Sequence, residues 1–183
     1  ILLDFPSIMP ERPIAIDSPV AEPWTSGRAL AVHGDKIFAV DTMNGNLVVL
    51  NRNAMDIDRT IAVGSKPEQV VVDDSGAAYV SVRGTDEIVR VDAGAQVVSQ
   101  RVSVGIEPFG LALSPSTLET PTLLVTCSGN NKLLALDPAT LQLRDEVESL
   151  DDPRGIAFSF NRYVTVTHVH APALTFPVTK KGM

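Results

Sequence analysis

The sequence holds one cysteine, three histidines and one tryptophan among 183 residues, and only 5% of it is aromatic. Cys127 alone cannot close an intramolecular disulfide, and neither a zinc-finger cluster nor a CxxCH haem attachment can be built within this segment. No apolar run approaches the ~20 residues that span a bilayer, and no stretch has the charged start and apolar centre of a signal peptide. The first residue is Ile1 rather than Met, which fits a mature or trimmed product, so the missing signal does not argue for the cytoplasm. Basic residues are also few, fifteen against twenty-two acidic, for a net charge of -7. Without a cluster of Lys and Arg such a surface repels phosphate backbones, and nucleic acid is not an expected partner.

Catalytic templates are missing as well. No glycine-rich phosphate loop and no GxSxG elbow is present. Asp73-Asp74 and Asp151-Asp152 are adjacent pairs that point apart along an extended chain, so they read as turn residues rather than as facing carboxylates. No helix-length segment of 3.6-residue periodicity occurs, which excludes a parallel βαβ architecture. No catalytic residue is assigned.

What is present is a hydrophobic fraction of 44%, enough to bury a sizeable core, and repetition. Lys36 to Asn51, Ala77 to Asp92 and Thr122 to Asp137 align without a gap, each reading as strand, polar turn and strand. The turns carry Asn44-Gly45, Gly84-Thr85-Asp86 and Gly129-Asn130-Asn131, residue types that tolerate positive φ and close tight hairpins. Upstream of each hairpin lies a short apolar strand: Gly27 to Val32, Pro67 to Val72 and Pro108 to Leu113, with Pro153 to Phe158 opening a fourth unit. The three prolines stand 41 and 45 residues apart, the period of a four-stranded propeller blade. Ile57 to Val63, Val97 to Val104 and Leu141 to Val147 supply a fourth strand. The expected fold is therefore all-β, a β-propeller of about four blades of four antiparallel strands.

Tyr79-Val80-Ser81, Tyr163-Val164-Thr165, the strand ends Val63-Gly64 and Val104-Gly105, and the following Pro67 and Pro108 resemble the YVTN β-propeller repeat over about residues 26 to 170. The resemblance implies a larger ring, usually of seven blades, of which this chain would hold blades at 26–64, 65–105, 106–150 and 151–183. The last is incomplete: after Tyr163 to Thr167 and a third strand at Ala173 to Val178, no fourth strand follows. Trp24, before the first blade, is expected to cap its apolar edge. Either the extension at 1–25 closes a small ring through Pro13-Ile14-Ala15-Ile16-Asp17, or the chain is the first half of a larger propeller whose remaining blades are removed, disordered or carried by another chain. The second is the favoured expectation.

In a propeller, the lead-in to the innermost strand and the loop between the second and third strands share one face around the channel mouth. That geometry gathers Arg28, Glu68, Phe109 and Arg154, with Gln69 beside them, and Arg83, His168 and His170 from the second set of loops. Two arginines and one or two histidines around one mouth suit an anionic ligand or an acidic partner surface. In an extended segment His168 and His170 project to one side, a spacing that lets two imidazoles share a metal, against the plainer reading of hydrogen-bonded loop histidines. Cys127 reads as a buried small side chain.

The leading functional expectation is a non-catalytic binding or scaffolding module presenting its channel-mouth face to a ligand or a partner domain. Pro153-Arg154-Gly155-Ile156-Ala157 with Tyr163 to His168 is similar to propeller segments that accompany c-type haem domains in secreted or periplasmic bacterial proteins. That similarity implies no cofactor in this segment, haem on a partner or downstream domain, and a periplasmic or extracellular location. One alternative is a propeller enzyme, lactonase-like or an amine-dehydrogenase-like subunit, placing an anionic small molecule with Arg28, Glu68 and Arg154. Another is a cell-surface structural repeat protein.

Overall fold

The computed structural model describes residues 27–94, 96–116, 119–148, 151–159, 163–169 and 173–177. Its strands form four separate antiparallel sheets, each built of neighbours in sequence. The first blade contains β1 (Leu30–His33), β2 (Lys36–Asp41), β3 (Asn46–Asn51) and β4 (Ile57–Ala62); the second contains β5 (Pro67–Val72), β6 (Ala78–Val82), β7 (Glu87–Val91) and β8 (Val98–Ser103). The third contains β9 (Pro108–Leu113), β10 (Leu123–Cys127), β11 (Lys132–Leu136) and β12 (Leu143–Val147). In the fourth, β13 (Pro153–Ser159), β14 (Tyr163–His168) and β15 (Leu174–Pro177) are described. Residues 1–26, with Trp24 and the candidate closing strand at 13–17, lie outside the described residues.

Local chemistry accounts for this pattern. Each predicted hairpin turn has its positive φ at its last residue, Gly45 (73°), Asp86 (57°) and Asn131 (58°), the types that reach the left-handed region at least cost. β6 and β10 are buried at every position because a blade packs on both their faces, and both are rich in β-branched and apolar residues. β8 instead alternates half-buried and exposed residues, and β12 is exposed throughout, as the outermost strand of a blade should be.

The core divides by junction. Phe38, Leu47 and Val49 of the first blade meet Val70, Val80 and Val89 of the second. Val71, Tyr79 and Ile88 then meet Leu111, Leu123, Leu136 and Leu141 of the third. Leu124 and Leu133 meet Ile156, Phe158, Val164 and Val166 of the fourth. Burying one such side chain contributes about 1.5–3 kcal/mol, so the blades are held face to face mainly by these interdigitated layers.

One sequence alignment fails in three dimensions. Pro153 pairs with His168 as Pro67 pairs with Val82 and Pro108 with Cys127. Thr165-Val166-Thr167, not Tyr163-Val164-Thr165, therefore corresponds to Tyr79-Val80-Ser81. His168 accordingly takes the position of Val82 and Cys127 at the end of a strand, not a place in the loop that follows it. The slip of two residues preserves which side chains face which side, so an alternating apolar pattern cannot reveal it.

Candidate functional site

Each of the last three blades begins with the same backbone device. Lys66, Glu107 and Asp152, immediately before the prolines, have φ of 54°, 53° and 46°, a conformation that costs about 1–2 kcal/mol in a non-glycine residue. Backbone bonds from the second-to-third-strand turn hold each one: Arg83 N–H to Lys66 O at 3.0 Å, Ser128 N–H to Glu107 O at 3.1 Å and Val169 N–H to Asp152 O at 3.3 Å. Turn side chains of the preceding blade add to this. Asp86 Oδ1 accepts from Glu107 N–H at 2.8 Å and Asn131 Oδ1 from Asp152 N–H at 3.0 Å. The lead-ins and these turns thus lie at one end of the sheets, and the residue after each proline, Glu68, Phe109 or Arg154, is fixed there.

A second device ties each inner strand to the next. The register shifts beside the prolines remove one residue from the ladder, and a hydroxyl supplies its missing partner. Ser81 Oγ accepts from Gln69 N–H at 3.1 Å and donates to Phe109 O at 2.8 Å; Thr126 Oγ1 accepts from Gly110 N–H at 2.8 Å and donates to Arg154 O at 2.7 Å. Thr167 Oγ1 accepts from Gly155 N–H at 2.9 Å and turns back to Gly155 O at 3.3 Å. The carbonyls of Phe109 and Arg154 are therefore pinned from the preceding blade.

On this frame Arg154 lies with its guanidinium carbon 5.0 Å from the Phe109 ring centroid, joining the third and fourth blades by a cation–π contact. Arg154 Nε also meets Asp152 Oδ1 at 2.9 Å. Arg83 Nε meets Glu68 Oε1 at 2.9 Å within the second blade. Glu68, Arg83, Phe109 and Arg154 thus stand at this end of the sheets, and both arginines already face a carboxylate. Asp152, read from sequence only as a turn residue, completes the Arg154 group; its i,i+2 spacing across a proline was the available signal.

Two candidates lie elsewhere. Gln69 is spent on the blade junction, its Oε1 accepting from Leu111 N–H at 3.1 Å. Arg28 does not share the position of Glu68, Phe109 and Arg154 that the alignment gives it. Gly27 N–H donates to Leu111 O, and Arg28 exchanges both backbone bonds with Val70, at 3.4 and 2.8 Å. The lead-in to the first blade therefore crosses the inner edges of β5 and β9, which offer unpaired ladder groups.

His168 Nδ1 lies 2.9 Å from Asp151 O, a contact that places the ring proton on Nδ1. His170 lies outside the described residues. Among the described residues no group of three or more His, Cys, Asp or Glu side chains is placed to hold a metal ion. Cys127 is fully buried, and burial pushes its thiol from an ordinary 9.0 up to about 11. A disulfide reagent at pH 8 is expected to leave it untouched in the folded chain and to label it in urea; rapid labelling of the native protein would contradict this packing. The native thiol keeps its proton to higher pH than the unfolded one. Its stabilising contribution is accordingly full below pH 9 and is lost as pH rises from 9 towards 11.

No protein-family model matches the sequence, and no curated relative does. Solved structures do. Hydrazine synthase of Kuenenia stuttgartiensis superposes with a TM-score of 0.63 at 20% identity, over 79% of this chain and 47% of that one. Dihydro-heme d1 dehydrogenase NirN in complex with DHE gives 0.63 at 14% identity, over 82% and 35%. A catalytically inactive virginiamycin B lyase from Staphylococcus aureus with quinupristin gives 0.61 at 12%, over 86% and 57%. The fold is that of the β-propeller. At these identities the likeness extends to the fold alone, and the chain spans about half the length or less of the first two β-propeller proteins. No helix among the described residues is long and apolar enough to cross a membrane.

Proposed function

We propose that the chain is a YVTN-type binding and scaffolding module that docks a partner domain on the end of its blades carrying Phe109 and Arg154. The observation that carries this reading is the Phe109–Arg154–Asp152 group: an arginine stacked at 5.0 Å on an aromatic ring and paired at 2.9 Å with a carboxylate. Arginines and aromatic rings held rigidly at a half-buried surface are the residues on which protein interfaces concentrate their affinity. An anionic small molecule is less well served, because Arg83 and Arg154 would first have to leave Glu68 and Asp152. The partner class favoured by the repeat resemblance is a c-type haem domain in the periplasm or outside the cell, or the remaining blades of a larger ring. One structural neighbour is itself named for a dihydro-heme d1.

Site-specific photocrosslinking in cells tests the reading. A photoreactive residue in place of Phe109 is expected to give one discrete adduct that disappears on Arg154→Glu, whereas the same group at Ala139, exposed at the opposite end of the blades, gives none. A haem absorption band in the adduct assigns the haem partner. Equal labelling from both positions, or none from Phe109, would overturn the proposal.

A further inference from the structure

Arg101 reaches from β8 to the preceding blade. Its Nη1 donates to the Val63 carbonyl at 2.6 Å and lies 3.3 Å from Glu87 Oε2, and its Nη2 donates to the Ala62 carbonyl at 3.4 Å. A guanidinium fork matched to two successive carbonyls thus closes the outer edge of the first junction. The strand registers identify the corresponding groups one blade further on. Arg101 pairs with Val89 as Glu146 pairs with Leu134, and Glu87 corresponds to Lys132. The carbonyls of Ala62 and Val63 correspond to those of Ser103 and Val104.

The charges are exchanged at the second junction: Glu87 and Arg101 are replaced by Lys132 and Glu146, whose charged groups stand 3.2 Å apart. A carboxylate cannot donate to a carbonyl. The place that the guanidinium fills at the first junction is an open cleft of ≈ 270 Å³ at the second, walled by Ser103, Val104, Lys132 and Glu146 and floored by Leu134, Leu136 and Leu141.

We propose that this cleft binds a guanidinium or amidinium group on an apolar stem, in the position that Arg101 occupies at the neighbouring junction. The head meets the Ser103 and Val104 carbonyls and the Glu146 carboxylate, and the stem lies on the leucines, as the carbon chains of arginines do on apolar surface. Lys132 does not block it, because Glu148 holds the same ammonium at 2.7 Å and keeps it when Glu146 leaves its 3.2 Å contact with Lys132 for the incoming guanidinium. Two carboxylates against one ammonium leave the rim net acidic. The volume falls below the ~300–1,000 Å³ of drug-sized sites and suits a single arginine-like side chain. An arginine of a partner segment and a small amidine share this chemistry.

Amide NMR titration of the whole chain with benzamidine, and separately with acetyl-Leu-Arg-amide, tests the site. The expected result is a saturable set of shifts confined to residues 102–105 and 132–146, with Glu146→Gln weakening binding by about 5–10-fold through loss of a charge-assisted bond. The double variant Lys132→Glu/Glu146→Arg copies the first junction into the second. It is expected to abolish binding and to raise the melting temperature by about 2–4 °C. Tighter binding of the dipeptide assigns the cleft to a partner's arginine, and tighter binding of benzamidine to a small molecule. No saturable shifts at millimolar ligand, or unchanged affinity in the double variant, would overturn the proposal.

Discussion

Gly110→Ala is expected to lower the unfolding free energy by about 3 kcal/mol, the upper end of what overpacking a close-packed interior costs. A Cβ at this position would stand 2.1 Å from the Arg154 carbonyl oxygen and 2.7 Å from Thr126 Oγ1. The first of these is backbone in a neighbouring strand, so β9 and β13 would have to separate. For a chain of this length the loss corresponds to a fall of about 6–12 °C in melting temperature. Gly155 is the matched control, since a Cβ there meets only the Thr167 side chain within 3 Å, a group that can rotate; Gly155→Ala is expected to cost under about 1 kcal/mol. Thermal and urea unfolding followed by circular dichroism would measure both. Equal effects at the two positions would mean that the third and fourth blades do not approach as closely as described.

The period of the molecule was legible because it is written in turn chemistry. Gly45, Asp86 and Asn131 each need a left-handed backbone, and prolines mark where successive blades begin, so strand order and blade count followed from spacing. Register in the fourth blade did not. Tyr163 resembles Tyr79 in type, yet pairing with Pro153 is decided by His168, and a slip of two leaves every alternation satisfied. The candidate site was legible in part for the same reason. Repeat position places Glu68, Phe109 and Arg154 at one end, but whether an arginine stands free or paired depends on partners that position alone does not reveal. Asp152 beside Arg154 and Glu68 beside Arg83 turn an apparent cationic mouth into a surface of satisfied pairs. Arg28 was misplaced because nothing local shows that its backbone crosses to Val70. The exchange of Glu87 and Arg101 for Lys132 and Glu146 was present in the repeats, but it acquires meaning only when Arg101 is seen to cap the carbonyls of another blade.

Thr126→Val should be the second severe substitution, and it separates hydrogen bonding from packing. The side chains are nearly isosteric, so little cavity forms. What is lost is the one group that serves both Gly110 N–H, at 2.8 Å, and Arg154 O, at 2.7 Å, leaving a donor and an acceptor without partners in a buried junction. Stranding buried polar groups costs about 1–3 kcal/mol each, so a total near 3 kcal/mol is expected. It should appear as a lower urea midpoint with an unchanged slope, because the surface exposed on unfolding is the same. Thr126→Ser keeps the hydroxyl and should lose only the methyl contacts, about 1 kcal/mol. Thr167→Val should cost about 1 kcal/mol or less, since Thr167 is exposed and its hydroxyl returns to its own blade. Gly110 and Thr126 act on the same junction, so Gly110→Ala combined with Thr126→Val should cost less than the two single effects added together. If Thr126→Val were no worse than Thr167→Val, the hydroxyls would be incidental, and blade order would rest on the apolar layers alone.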